Sequence, residues 1–427
     1  MKFSPPKSLK GEVRIPGDKS ISHRAVMIGS LAKGETLVEN FLPAEDCLRT
    51  VACFSAMGIN IDQKSETRLL IKGKGLYALE KPKDVLYVGN SGTTIRILLG
   101  ILAGQKFDST ITGDESVCRR PMLRVVEPLR LMKASIEGKN GGNLAPLTIH
   151  GQQLRAISYE LPVASAQVKS ALLLAGLYAE GETKIIEKLI SRDHSERMLE
   201  YFGAKIRREN AHIYIEGGKE FRGGEVSIPG DISSAAFIMV AASLVPGSEI
   251  LLRDVGVNPT RTGIIEVLHR MGADLEVKDE EILSEEPRAN ILIKDRKLKG
   301  ITICGGLIPR IIDELPVIAV AATQAEGMTI IKDAKELRVK ESDRIATISS
   351  ELKKLGAKIQ EKEDGMVIYG PTKLKGSTVI SYGDHRVAMS MAVAGLIAEG
   401  ETIVEDTECI KTSFPGFEEI LSTISVK

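Results

Sequence analysis

The chain repeats itself, and this limits its fold more than any other feature. VRIPGDKSISHRAVMIGSLAKGETLVENF from Val13 and VSIPGDISSAAFIMVAASLVPGSEILLRDV from Val226 share one grammar: strand, PGD turn, small-residue helix, Gly-containing turn, strand. Both continue into a helix ending in Met-Gly, at Met57-Gly58 and Met271-Gly272. Weaker copies place small-residue helices near Gly92, Ser165, Asp313 and His385, with turns at Gly181, Gly327 and Gly400. Second helices end at FGAKI from Phe202 and LGAKI from Leu355, with degraded versions at Met132 and the C-terminal ILSTI. This makes six units at a spacing of roughly 70 residues, a period that signals architecture.

The first helix of each unit is apolar nearly all round, as in SALLLAGLYA from Ser170, and must be buried on most faces. The second is amphipathic: in AEDCLRTVACFSAMG, Cys47, Leu48, Val51 and Phe54 form a stripe. A chain of 427 residues exceeds what one core serves. The expected class is α/β: a two-domain inside-out α/β barrel with three βαβαββ-like units per domain, sheets around buried parallel helices. The two IPGD segments mark crossings near 15–20 and 228–233. Residues 1–18 plus 232–427 then form a discontinuous domain and 19–231 an inserted one. If the helices of a domain run alike, their N-termini converge on one face and favour anions.

Composition narrows the function classes. Lys plus Arg equals Asp plus Glu at 57 each, which argues against a nucleic-acid partner. The five Cys, at 47, 53, 118, 304 and 409, form no CxxC pair and suit a reducing cytoplasm. The N-terminus shows no apolar leader, and apolar stretches such as Ala235 to Val245 are too short to span a bilayer. No spacing suggests a metal site, and no GxxxxGKS loop supports ATP chemistry.

The helix starts carry the candidate chemistry. Asp18-Lys19-Ser20-Ile21-Ser22-His23-Arg24 sets cations and hydroxyls at the first entrance, whereas the second copy has Ile232, Ser233 and Ser234. Gly89-Asn90-Ser91-Gly92 is a turn whose N–H groups can cradle phosphate, and Arg119-Arg120-Pro121 is a rigid basic turn. Ser165-Ala166-Gln167 opens the third buried helix, with Ser165 equally readable as an N-cap. Arg192 stands at another helix start, and Asp313-Glu314 puts carboxylates before the fifth. Arg338 to Arg344 holds five charges that share a face if helical, or form only a surface ion-pair cluster. Asp384-His385-Arg386 opens the sixth.

In this order, IPGDKSISHR, GNSGTTIR, SAQVKSALLLAGL, ELRVKESDR and GDHRVAMS resemble the 5-enolpyruvylshikimate-3-phosphate (EPSP) synthase family over the full chain. The resemblance implies transfer of the enolpyruvyl group of phosphoenolpyruvate to the 5-hydroxyl of shikimate 3-phosphate, releasing phosphate. This is a cytoplasmic step toward chorismate and the aromatic amino acids, run without metal or organic cofactor, and a monomer is expected. It also implies roles. Lys19 contacts phosphoenolpyruvate and takes part in proton transfer. Ser20 and Arg24 are shikimate-phosphate ligands, Arg24 on the ring carboxylate. Asn90, Gly92 and Arg120 belong to the phosphoenolpyruvate region. Ser165, Ala166, Gln167 and Arg192 form the shikimate phosphate and ring pocket, with Gln167 also toward phosphoenolpyruvate. Asp313 is the base for the attacking hydroxyl, Lys340 lies between the substrates, and Glu341 is the acid/base at the methylene. Arg344, Arg386 and Lys411 hold phosphoenolpyruvate after closure. Gly92 leaves room for the family inhibitor glyphosate.

Two departures matter. Many members have Ser-Ser-Gln where this chain has Ser165-Ala166-Gln167, and Arg192 is the candidate to replace the lost contact. Glu336 stands where some members have Asn and is left out of the site. The nearest rival is the UDP-N-acetylglucosamine enolpyruvyl transferase family, whose reactive Cys lies several residues before an Arg-Pro. Here Cys118 is only two residues before Arg120, and KESDR and SISHR favour the shikimate enzyme. A non-catalytic anion-binding scaffold is the third reading, opposed by intact Lys19, Asp313 and Glu341.

Overall fold

The computed structural model describes residues 1–426. The chain divides into two compact units. One is continuous, Gly17–Ile228, and gathers in Ile282–Glu286; the other is split, Met1–Pro16, Pro229–Glu281 and Pro287–Lys427. Each has its own aliphatic core.

In the continuous unit the helices Lys19–Leu31, Gly92–Ala103 and Ala166–Gly176 are buried along nearly their whole length. Small residues let them approach closely. A Cβ on Gly100 would lie 2.0 Å from the carbonyl oxygen of Ala171, so only glycine allows this helix–helix contact. Three four-stranded sheets accompany the helices. Their strand orders are Glu225–Ser227, Lys33–Glu39, Arg68–Lys74, Asn60–Ser65; then Leu86–Tyr87, Ser109–Thr112, Leu144–His150, Ser135–Gly138; then Ser158–Leu161, Glu182–Glu187, His212–Glu216, Ile206–Glu209. In each the first pair is parallel and the next two are antiparallel. Strand burial alternates, so in Glu182–Glu187 the residues Thr183, Ile185 and Glu187 face inward.

The split unit reuses the plan. Its buried helices are Ile232–Leu244, Leu315–Gln324 and His385–Gly395. The sheet Thr302–Ile303, Gly327–Ile331, Gly365–Gly370, Lys358–Lys362 has the same parallel, antiparallel, antiparallel order. The N-terminal residues serve the other two sheets. Ser8–Arg14 runs parallel to Glu249–Gly256, and Lys2–Phe3 pairs with Thr402–Glu405, itself parallel to Thr378–Ile380.

Side chains close five of the six buried helices at their N-termini. Asp18 accepts from Ile21 N (2.9 Å), Ser91 from Thr94 N (3.1 Å), Ser165 from Val168 N (3.4 Å), Asp231 from Ser233 N (2.8 Å) and Asp384 from Arg386 N (2.9 Å). The aspartates of the two IPGD turns thus do the same job. Two local expectations need correction. In Glu45–Ala56 the inward stripe is Cys47, Thr50, Cys53 and Phe54, while Leu48 is exposed, because the apolar face is offset toward the small polar Thr50. The segment from Lys340 to Asp343 is not helical: it follows the 3-10 turn Lys335–Val339 and ends where Asp343 caps the helix Arg344–Lys354. No helix among the described residues is long and apolar enough to cross a membrane.

Candidate active site

The continuous unit brings ten of the candidate residues to the starts of its buried helices and the loops beside them. Lys19 opens the first helix, its Nζ 3.1 Å from Asp46 Oδ2. Arg24, one turn further on, is almost fully buried. Its Nη1 donates to the Ser20 carbonyl (2.9 Å), its Nη2 to Ser170 Oγ (2.7 Å) and its Nε to Ser195 Oγ (2.7 Å). Burial pushes this guanidinium down to about 10, which still leaves it charged at neutral pH. Arg24 is therefore braced on three sides before any ligand arrives.

At the second helix, Arg120 Nη2 donates to Asn90 Oδ1 (2.5 Å) and Ser116 Oγ (3.0 Å). A Cβ on Gly92 would lie 2.8 Å from Arg120 Nη1, so glycine here keeps that guanidinium in place. At the third helix Ser165, Ala166 and Gln167 are half-buried. Gln167 is fixed at both ends, accepting from Arg96 Nη1 (2.8 Å) and donating to Thr93 Oγ1 (3.1 Å). Arg192 lies in the loop before the helix His194–Tyr201 rather than within its first turn, because Asp193 is the residue that enters the helix.

In the split unit one guanidinium gathers three carboxylates. Arg344 is buried; its Nε and Nη2 grip Asp384 (2.8 and 3.2 Å), Nη2 also meets Glu341 Oε2 (2.7 Å), and Nη1 meets Asp313 Oδ1 (3.2 Å). Burial alone would weaken its charge, but Asp384, Glu341 and Asp313 outweigh that and hold it above the ordinary arginine value. Asp313 precedes the helix Leu315–Gln324, between it and the short turn Ile308–Ile311. Arg386 donates from its backbone N to Asp384 and from Nη1 to the Ser233 carbonyl (3.1 Å), with its guanidinium 5.8 Å from the Phe237 ring centroid. Lys340 Nζ is 4.0 Å from Glu336 Oε1, and burial lowers its affinity for the proton below that of an ordinary lysine. Lys411 is 71% exposed and paired with Glu408 (2.6 Å).

Each unit thus holds cations braced by neighbouring side chains, and in the split unit Asp313 and Glu341 share one arginine, which suits chemistry on anions. The family model for EPSP synthase (3-phosphoshikimate 1-carboxyvinyltransferase) matches residues 3–421. The chain belongs to the EPSP synthase family. It is 55% identical over 419 residues to the 3-phosphoshikimate 1-carboxyvinyltransferase of Brevibacillus brevis, covering 98% of both chains. It is 56% identical over 423 residues to that of Geobacter metallireducens, covering 99% of this chain and 98% of the other. The solved EPSP synthase of Acinetobacter baumannii superposes with a TM-score of 0.89 at 46% identity, over 100% of this chain and 98% of that one. The family read from the five motif blocks is thus borne out, as is the mixed α/β class.

Beside the candidate residues of the two units, four side chains escaped the sequence reading of the binding set. Arg96 and Asp46 brace Gln167 and Lys19. Asp384 anchors Arg344 and meets the Arg386 backbone, and Lys169 sits fully buried one turn below Ser165. For Lys169 a signal was available: a lone ammonium in a helix buried on every side requires carboxylate partners.

Proposed function

We propose that this chain transfers the enolpyruvyl group of phosphoenolpyruvate to the 5-hydroxyl of shikimate 3-phosphate, a cytoplasmic step toward chorismate. The finer fold description, two inside-out α/β barrels of three units each, belongs to the same reading, as does the monomeric state. The observation that carries it is the sharing of Arg344 by Asp313 and Glu341 within a chain of this family.

Asp313 takes the proton of the attacking 5-hydroxyl. One acid/base group, Glu341 or Lys19, protonates the methylene carbon so that the enol ether carbon becomes electrophilic. The oxygen adds there to form a tetrahedral adduct. The adduct then loses phosphate while the same acid/base group takes back a methyl proton. An anion arriving at Arg344 competes for its Nη1 and Nη2 donors, so phosphoenolpyruvate weakens the hold of that arginine on Asp313 and Glu341. Lys19, Asn90, Gly92, Arg120, Gln167, Arg344, Arg386 and Lys411 hold phosphoenolpyruvate. Lys19, Ser20, Arg24, Ser165, Ala166, Gln167, Arg192, Asp313 and Lys340 hold shikimate 3-phosphate. Acid–base help supplies about 10²–10⁴-fold, and positioning with preorganised charge supplies the rest.

Phosphate release tests the proposal. It is expected with phosphoenolpyruvate plus shikimate 3-phosphate, and not when UDP-N-acetylglucosamine replaces the shikimate ester. Release with the UDP-sugar alone as acceptor would overturn it in favour of the sister activity, and the absence of release with either acceptor would leave an anion-binding scaffold.

A further inference from the structure

Lys169 lies in the Ala166–Gly176 helix, inside the continuous unit and away from solvent. Its Nζ is 2.8 Å from Glu187 Oε2, 2.7 Å from Glu196 Oε1 and 3.2 Å from the Ser191 carbonyl, which engages all three of its N–H donors. Lys169, Glu187 and Glu196 are all buried. Burial by itself would lower the Lys169 proton affinity; Glu196 and Glu187 outweigh it, and the ammonium stays charged. None of its donors remains to meet a ligand, so its role is to hold other groups.

What it holds is specific. Glu187 Oε1 accepts from the Ser191 backbone N (3.1 Å) and from Ser191 Oγ (2.5 Å). Together with the Lys169 bond to the Ser191 carbonyl, this grips Ser191 at three atoms, directly before Arg192. Glu196 follows Ser195, whose Oγ holds Arg24 Nε and lies 2.7 Å from Ser170 Oγ. Ser170 is the neighbour of Lys169 and holds Arg24 Nη2. One ammonium therefore joins the helix headed by Ser165, Ala166 and Gln167, the loop carrying Arg192 and the helix bracing Arg24. A buried ion cluster costs stability relative to well-packed apolar side chains. Its place here is explained by what it orients.

We propose that Lys169, with Glu187 and Glu196, is a positioning device for the shikimate 3-phosphate site, setting Arg192 for its phosphate and Arg24 for its ring carboxylate beside the start of the Ala166–Gly176 helix. This rests on the reaction proposed above. It also accounts for a chain with Ala166 in place of a second serine, where Arg192 must supply the phosphate contact and must itself be held.

The test compares the parent with Lys169→Met and with the combined Lys169→Met, Glu187→Gln, Glu196→Met variant, which leaves no unpaired buried charge. Calorimetry reads shikimate 3-phosphate binding, initial rates read both KM values, and thermal melting reads folding. The expected result for the combined variant is a melting temperature close to the parent, a shikimate 3-phosphate Kd and KM raised at least tenfold, and a phosphoenolpyruvate KM within twofold. A folded combined variant that binds shikimate 3-phosphate within twofold of the parent overturns the inference. So does a combined variant that cannot fold, which assigns the cluster a structural role alone. A parent that binds no shikimate 3-phosphate overturns the reaction itself and this inference with it.

Discussion

Replacing Arg344 by Met should cost about 3 kcal/mol of stability in the split unit, and the structure says why the figure is not larger. Removing one partner of a buried pair costs about 3–5 kcal/mol, because a charge is left uncompensated. Arg344 has three carboxylate partners, but they differ in exposure. Asp313 and Glu341 side chains are 20% and 23% exposed, so water can take over much of their solvation. Asp384 is 0% exposed and bears the loss. It keeps the bonds from Ser342 Oγ (3.0 Å) and Arg386 N (2.9 Å), which places the cost at the lower end. For a unit of this size about 1 kcal/mol moves the melting temperature by about 2–4 °C, so a fall of about 6–12 °C is expected by calorimetry at pH 7. Adding Asp384→Asn to Arg344→Met should restore most of the stability and none of the turnover. A fall of less than about 2 °C, or no recovery in the double variant, would refute the clamp.

Gly92→Ala brings a methyl to 2.8 Å from Arg120 Nη1, and should raise the phosphoenolpyruvate KM at least about tenfold while leaving that of shikimate 3-phosphate within twofold by initial rates. Glu341→Gln should keep the binding of both substrates and lose turnover by about 10²-fold or more; near-normal phosphate release would remove Glu341 as the acid/base. His23 is buried, its Nδ1 2.7 Å from Thr50 Oγ1, and burial, with Lys19 and Arg24 adding repulsion, holds it neutral far below the usual histidine range. The unfolded chain takes up a proton near pH 6.5 and the folded one does not. Stability therefore falls as pH drops below about 6.5, by up to ~1.4 kcal/mol per pH unit from this group. Denaturant titrations at pH 7.5 and 5.5 should show a flatter dependence in His23→Gln, and an unchanged slope would exclude the effect. Burial lowers the proton affinity of Lys340, so the alkaline limb of the rate profile should move to higher pH in Lys340→Arg if that lysine works charged.

Much of this architecture was legible in the sequence, because repetition is written in turn residues that tolerate little change. The PGD turns, the Met-Gly helix ends and the small-residue helices recur at matching intervals, and the capping aspartates Asp18 and Asp231 fall where the copies align. The bracing was harder to read. Arg24 leans on Ser195, 171 residues away, and Arg344 on Asp384, 40 residues away, and no local spacing announces either pair. The charges from Lys340 to Arg344 share a helix face only if the segment is helical, and the Glu341–Arg344 pair forms across a loop and helix start instead. Lys411, placed with the other cations by the family resemblance, is exposed and paired with Glu408. The duplicated position that holds Arg24 in one copy holds Phe237 in the other, and both are buried. Copying preserves burial there, while side-chain chemistry diverges.

The strand Ser8–Arg14 has a consequence for synthesis. Glu12 aligns with Leu251, so this strand leaves the ribosome 239 residues before its partner. At 5–20 residues per second the wait is roughly 10–50 s. Meanwhile Gly17–Ile228 emerges as one uninterrupted stretch and can fold. An early strand left unpaired so long is open to pairing with other nascent chains. Its composition answers that hazard: Lys10, Glu12 and Arg14 alternate along the exposed side, and charges so placed discourage edge-to-edge association. The N-terminal residues thus have to remain soluble alone for most of translation before they join two sheets of the unit that finishes last.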